Sequence, residues 1–316
     1  FLQNKISGTI ELYNTKSNDV LVSNSPLSPS SGFTSVTKNI GKVQSKGIDF
    51  NFSSHNLPNY KQLKWKTELN ISSYVNEVLD LGGATEVSGT NYGENRAIVG
   101  EPVGVFYLAE FAGIDPNTGK ELIYDLDGNI VELNATNSVS ERKAMGKPYP
   151  DFYGGFNNSF TYKKLTLDFL FIFSIGQKIY DDHGKRQLGN MSYGWNQDIR
   201  TLDNWQNNNN NNNTQVPILS LEENRDINSS RHLHDASFIR LRNVNISYNL
   251  PESLCKKIGA SQSNVFIAAQ NLYVWTKYEG WDPEVNREGS GAITQGVTYL
   301  SPPQSKTITT GINIIF

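Results

Sequence analysis

The sequence holds a single cysteine, Cys255, among 316 residues, so no disulfide can form within the chain. It contains no long unbroken apolar run, which excludes a membrane-spanning helix. Histidine is scarce, and the four present, His55, His183, His232 and His234, have no nucleophile or acid at a spacing diagnostic of catalysis. With a net charge of -3 and no basic cluster, nucleic acid is not an expected partner. Phe1-Leu2-Gln3-Asn4-Lys5 lacks the charged and apolar regions of an export signal, so an exported protein would have residues upstream. The chain is therefore read as the C-terminal part of something larger.

Helical periodicity is nearly absent, while Asn, Gly, Thr and aromatic residues punctuate short alternating runs. The organisation is all-β. The clearest run places Leu165, Leu167, Phe169, Phe171, Phe173 and Ile175 on one face, with Thr166, Asp168 and Ser174 opposite. Upstream, Phe152, Phe156, Phe160 and Tyr162 oppose Tyr153, Asn157, Ser159 and Thr161, and Tyr162-Lys163-Lys164 joins the two runs as a hairpin. Ile48, Phe50 and Phe52 alternate with Asp49, Asn51 and Ser53, and Trp65, Leu69 and Ile71 oppose Lys66, Glu68 and Asn70. The last run puts Ile308, Thr310, Ile312, Ile314 and Phe316 on a common face.

Period-two alternation with one greasy and one polar face is the pattern of an antiparallel transmembrane β-barrel, whose wall meets lipid outside and a polar lumen inside. The mean hydropathy of -0.47 is compatible with that, because lumen residues balance the apolar face. Leu165, Leu167, Phe169, Phe171, Phe173 and Ile175 are expected to face lipid, and Asp49, Asn51, Asn157 and Asp168 to line the lumen. Ile312, Ile314 and Phe316 are expected to form the signal read by the outer-membrane assembly machinery.

Counting back from a periplasmic C-terminus, connections near Asn14 to Asp19, Asn56 to Gln62, Gly100 to Pro102, Tyr162 to Lys164 and Pro251 to Ser263 are short. Those near Ser25 to Ser35, Leu81 to Asn95, Ala112 to Lys147, Ile179 to Asp235 and Lys277 to Pro303 are long. Short turns belong on the periplasmic side and long loops outside. The count is about eleven strands, roughly half of a 22-stranded transporter barrel. Asn207 to Asn213, an unbroken asparagine tract, has no face to bury and is expected to be a mobile loop tip.

Five runs stand out: Asn39-Ile40-Gly41-Lys42-Val43 with Lys46-Gly47-Ile48-Asp49-Phe50, Pro150-Asp151-Phe152-Tyr153-Gly154-Gly155-Phe156, Ser237-Phe238-Ile239-Arg240-Leu241-Arg242-Asn243-Val244, Gln270-Asn271-Leu272-Tyr273-Val274-Trp275, and Gly280-Trp281-Asp282-Pro283-Glu284. In this order, and over essentially the whole chain, they resemble the C-terminal half of SusC/RagA-type TonB-linked outer-membrane proteins. The resemblance implies a barrel plugged by an N-terminal domain and capped by a SusD-like surface lipoprotein, importing oligosaccharides or peptides with energy delivered through TonB. The plug and first strands are not expected within residues 1–316, which would form barrel only. Lipid or lipopolysaccharide would surround the wall in the outer membrane of a Bacteroidota-like cell. The alternatives are a siderophore or vitamin receptor without a lid, and a secreted β-sandwich adhesin or glycan-binding module whose apolar stripes pack against a second sheet.

No enzyme chemistry is expected. His232 and His234 could pinch a metal, but a metal site usually needs about three or four ligands, and a loop pair is the expected reading. Asp125-Leu126-Asp127-Gly128-Asn129 resembles the start of a calcium loop without its terminal Glu; Asp-Gly between Ile123-Tyr124 and Ile130-Val131 reads as a hairpin, with calcium held by several loops as the alternative. Among loop aromatics, Tyr193, Trp195, Trp205 and Trp281 are nominated as ligand or lid contacts, against loop packing. Arg240 and Arg242 share a parity with Val244 and Ile246 and should stand above the hydrocarbon, paired with lipid headgroups or loop carboxylates, unless a bulge turns them inward.

Overall fold

Alternation in the sequence becomes eight long strands. The computed structural model describes residues 5–26, 28–33, 35–57, 62–89, 93–188, 191, 194–206, 214–221, 227–287 and 291–316. Its main sheet comprises β1 (Ile6–Pro26), β2 (Ser35–His55), β3 (Leu63–Leu81), β4 (Phe152–Tyr162), β5 (Leu165–Ile175), β6 (Phe238–Asn249), β7 (Gln262–Thr276) and β8 (Thr307–Ile315). Each strand pairs antiparallel with its neighbour in sequence, a plain meander.

All eight strands keep their parity in step. One row across the sheet reads Ile10, Phe50, Ile71, Gly154, Phe173, Ile239, Trp275, and the next reads Phe52, Leu69, Phe156, Phe171, Leu241, Tyr273. The opposite face reads Thr9, Asn51, Asn70, Gly155, Ile172, Arg240 and, one row on, Ser7, Ser53, Glu68, Asn157, Leu170, Asn243. Stacked and edge-on rings tie the apolar face together: Trp65 to Phe160, Phe160 to Phe169, Phe169 to Phe171 and Phe171 to Trp275, with centroids 5.3 to 6.0 Å apart. Among the described residues no second sheet covers this face, and Ile10, Leu12, Phe156, Ile239, Ile246 and Ile267 stand exposed on it. A sandwich would bury them.

Among the described residues the wall has eight strands, fewer than the expected eleven or so. Residues 14–19 are not a turn but the interior of β1, which absorbs them with register shifts after Ser17 and Val20. Gly100 to Pro102 is a turn, but between short strands, Asn95–Ile98 and Val105–Ile114, that pair with each other and with Arg142–Gly146 rather than with the wall. With those corrections the short connections (56–62, 163–164, 250–261) fall at one end and the long excursions (82–151, 176–237, 277–306) at the other. The Asp-Gly hairpin is present: Glu121–Tyr124 pairs with Ile130–Glu132, and the Asp125 carboxylate accepts from the Asp127 and Asn129 N–H groups.

The three excursions share one core. Phe106 and Leu108 from the first, Tyr180 from the second and Val297 from the third pack into a fully buried cluster. Beside it lies a buried charge network: Asp182 pairs with Lys185 (2.7 Å), Arg287 (2.7 Å) and Arg186 (3.5 Å), and Glu94 lies 3.6 Å from Arg287. Lys178–Asp181, Leu233–Asp235 and Val297–Thr298 add a small sheet bridging the second and third excursions.

One polar cluster interrupts the apolar face. In the row Ser54, Thr67, Asn158, Phe169, the Asn158 carbonyl accepts from the Trp65 indole (2.9 Å) and the Thr67 hydroxyl (2.8 Å), while Asn56 bonds both Thr67 and Ser54. Polar groups buried in an apolar setting are costly unless they bond one another; these do, apart from the Asn158 amide nitrogen, which has no hydrogen-bond partner among the described residues.

Candidate functional site: the polar face and its roof

The excursions fold against the polar face of the wall, bounding an open cavity of about 650 Å³. Its floor is Asn70 and Tyr74 of β3, Tyr153 of β4, and Leu170, Ile172 and Ser174 of β5; its roof includes Tyr149, Glu284, Asn286 and Gln295. Tyr74 stands between two other tyrosine rings, 6.0 Å from Tyr149 and 6.3 Å from Tyr153, the latter edge-on. The Tyr149 hydroxyl donates to the Ala292 carbonyl at 2.6 Å, linking the first and third excursions across the cavity. Tyr13 joins this side as well: its ring occupies the place where a side chain at Gly47 would stand.

A second, more polar groove of about 490 Å³ lies nearer the turn end, lined by Ser7, Thr9, Asn51, Ser53, Glu68, Asn70 and Asn157. Asn51 donates to Thr9 at 3.3 Å and Asn157 to Glu68 at 3.1 Å. Asp168 lies on the same face, accepting from Asn245 at 3.3 Å, and Asp49 sits one row above Asn51. Hydroxyls, amides and tyrosine rings together provide hydrogen bonds and stacking surfaces for a polar ligand in a wet cavity.

Arg240 secures the roof. It lies inward, 3% exposed, bonded to Asp282 (2.5 Å) and Glu284 (2.6 Å) of the third excursion. The cause is a bulge: Phe171 faces Leu241 and Leu170 faces Asn243, so Arg242 is skipped and the parity before it inverts. Opposite, Asn271 takes a positive φ of 53 and its carbonyl accepts from Arg242 at 2.9 Å. Of the two expected fates for these arginines, the inward bulge and the loop carboxylates prevail over lipid headgroups.

The nominated loop aromatics separate. Trp205 is 6% exposed, packed against Gly119 with its indole donating to the Pro116 carbonyl, so its ring serves the excursion's own packing. Trp195 is half-exposed with Arg186 5.9 Å from its ring. Trp281, 64% exposed, lines a shallow outer cleft with His183, Asp198, Arg200 and Tyr278. There the Arg200 guanidinium, bonded to both Asp198 oxygens, holds that carboxyl below its usual range. Tyr193 and Asn207 to Asn213 lie outside the described residues. His232 is fully buried against Tyr180 and His234 packs on Tyr278; burial pushes both imidazoles down, His232 the further. Among the described residues no cluster of metal-ligating side chains occurs. The tyrosines of the cavity were not singled out from sequence, although Tyr153 already stood among Asn157 and Ser159 on the polar parity.

A meander wall with one apolar and one polar face, roofed by long excursions, has the architecture of an outer-membrane β-barrel wall, and its fold matches a RagA-type TonB-dependent transporter barrel. The SusC/RagA type of these proteins is the one this chain matches by sequence and structure alike. It is 31% identical over 99% of its length to TonB-dependent receptor P3 of Formosa agariphila and 24% identical over its full length to TonB-dependent receptor SusC of Bacteroides thetaiotaomicron. The RagAB peptide importer superposes with a TM-score of 0.81 in its closed-closed state (28% identity, 98% of this chain) and 0.82 in its open-open state. The chain spans about a third of the length of these relatives, 32% of receptor P3 and 33% of the importer chain. No family model matches the sequence.

Proposed function

We propose that this chain forms part of the wall of an outer-membrane transporter that imports nutrient oligomers, with energy delivered through TonB and a SusD-like surface lipoprotein as lid. The observation that carries this reading is the sheet itself: an apolar face, interrupted only by the bonded cluster around Asn158, backed by a polar face under a fused roof. In lipid the outer rows of β1 to β8 meet acyl chains, while Asp49, Asn51, Asn157, Asp168 and the tyrosine cavity line the path of the cargo. Among the described residues the sheet's edges, β1 and β8, each have one unpaired side, which lipid does not tolerate, so further strands of the protein close the barrel. β8, with Ile312, Ile314 and Phe316, is the strand presented to the assembly machinery. Trp281 and its neighbours on the outer cleft are the lid's contact.

The cargo is a neutral or mildly charged oligomer with both polar and apolar groups, since tyrosine rings and amides stand beside Leu170, Ile172, Phe173 and Val285 in the cavity; the peptide cargo of RagAB is one example of the class. Nothing in the site requires bond breaking, and the role is capture and passage.

Cysteine accessibility in the full-length protein in outer-membrane vesicles tests the orientation. A water-soluble maleimide is expected to label Asn157→Cys and to spare Phe171→Cys. The reverse pattern would overturn the transporter reading.

A further inference from the structure

Charge is handled differently at the two ends of the wall. At the excursion end, basic and acidic side chains are interspersed: many pair, among them Lys42 with Asp80, Lys120 with Glu132, Lys143 with Glu110 and Arg231 with Glu121, while Lys38, Lys277 and Lys306 are exposed without an ion pair among the described residues. At the turn end, Lys5, Lys64, Lys163, Lys164, Lys256 and Lys257 are all exposed, and none pairs with a carboxylate among the described residues. Lys66 is neutralised by Glu68, and among the described residues Glu252 and Asp168, the latter in the row of Lys66, are the acids there without an ion pair, against six such lysines. A chain of net charge -3 thus gathers a positive rim at one end.

That rim adjoins apolar surface. The last row of the apolar face reads Leu63, Tyr162, Leu165, Tyr248, Val265, Ile312. Lys163, in the tight turn just beyond it with a φ of 55, lies 5.4 Å from the centre of the Tyr162 ring. In the next connection the short helix Glu252–Lys257 is held by buried Cys255, while Leu254 (44% exposed) and Ile258 (46%), four residues apart and so on one side, project beside Lys256 and Lys257. Lysines flanking projecting apolar side chains, at the edge of an apolar wall, match the chemistry of a phospholipid boundary: ammonium groups meet phosphates and the aliphatic groups enter the acyl region.

We infer that the turn-end rim of this wall is a seat for anionic phospholipid headgroups, with Lys163, Lys164, Lys256 and Lys257 as cationic contacts and Leu254 and Ile258 as anchors. The assignment rests on the membrane reading above but makes a separate claim, a preference for lipid charge. A soluble acidic partner would use the lysines but not the row of Tyr162, Leu165 and Tyr248 that continues into the apolar face.

The test is native mass spectrometry of the full-length transporter carried in detergent with equal parts of phosphatidylglycerol and phosphatidylcholine of matched chains. Wild type is expected to retain phosphatidylglycerol several-fold over phosphatidylcholine. The K163Q/K164Q/K256Q/K257Q variant should fall to near parity, the corresponding Lys→Arg variant should keep the preference, and L254S/I258S should retain less of both lipids. Should the glutamine variant fail to assemble, high salt applied to wild type must erase the preference. Wild type without preference, a glutamine variant as selective as wild type, or selectivity that persists in salt would each overturn the assignment. So would parity in wild type with the rim covered by a co-purifying acidic protein. The maleimide experiment is unaffected by any of these outcomes, so failure of the lipid seat and failure of the transporter reading are told apart.

Discussion

The wall and the excursions bury polar groups in opposite ways. The wall satisfies its backbone in ladders and keeps side-chain charge off the apolar face. The excursions, with short strands and little regular structure, rely on side chains: Asp182 and Glu94 are sealed among Lys185, Arg186 and Arg287. Ladders lose little when one side chain changes, whereas a buried ion network loses much when one member goes.

The largest effect is therefore expected at Asp182. Asp182→Ala leaves three cations without their shared partner and should cost about 3 to 5 kcal/mol, toward the upper end. Hydrogen exchange on the full-length protein should show Val105–Ile114, Lys178–Asp181 and Val297–Thr298 losing protection together while β3 to β7 stay protected. Protection lost in only one of those segments would contradict a shared core.

Arg240→Ala comes next, at about 3 kcal/mol, because Asp282 is left buried without its partner. Exchange should rise at 277–286, around Asp282 and Glu284, while Val297–Thr298 stays held by the shared core. On the wall, Asn158→Leu should cost about 1 to 3 kcal/mol by stranding the Trp65 indole and the Thr67 hydroxyl, read as a lower urea midpoint of the folded barrel with the excursions unchanged.

The smallest effect is a pH dependence confined to the second excursion. His232 is buried neutral, so its folded pKa lies below the unfolded value of about 6.5, and the unfolded chain takes up the proton first as pH falls. Stability from this group is intact above that value and declines below it. Between about pH 7 and about pH 5, nicking of 176–237 by a pH-tolerant protease should increase, and His232→Asn should flatten the slope.

What could be read from sequence divides along the same line. Strict alternation gave away β4, β5 and their hairpin, because a period of two is visible in one strand without knowledge of its partners. The β1 interior was misplaced as a turn because Asn14 to Asp19 is rich in turn-forming residues, and pairing with β2 overrides that preference. Gly100 to Pro102 is a genuine turn, but its role depends on which strands pair, which local pattern does not encode. The inversion at Arg242 was equally hidden, since a bulge is a property of two strands at once. Yet the runs carrying the family resemblance proved to be the contacts themselves. Asp282 and Glu284 of the Gly280 to Glu284 run grip Arg240 of the Ser237 to Val244 run, and Asn271 of a third run receives Arg242. Gly154 has Phe173 and the Asn70 carbonyl where its side chain would be, and Gly47 makes room for Tyr13. The cavity tyrosines were harder to see, because Tyr74, Tyr149 and Tyr153 lie far apart in sequence and meet only through the register of β3 with β4 and the fold of the first excursion.

Phe106, Leu108, Tyr180 and Val297 have a mechanical corollary. Loops that share a nucleus cannot flap singly, so lifting any one of them from the wall would swing the whole cap about the points where it leaves the strands near Leu81, Ile175 and Thr276. Arg240, set just inside one of those hinges, is where a latch would be placed.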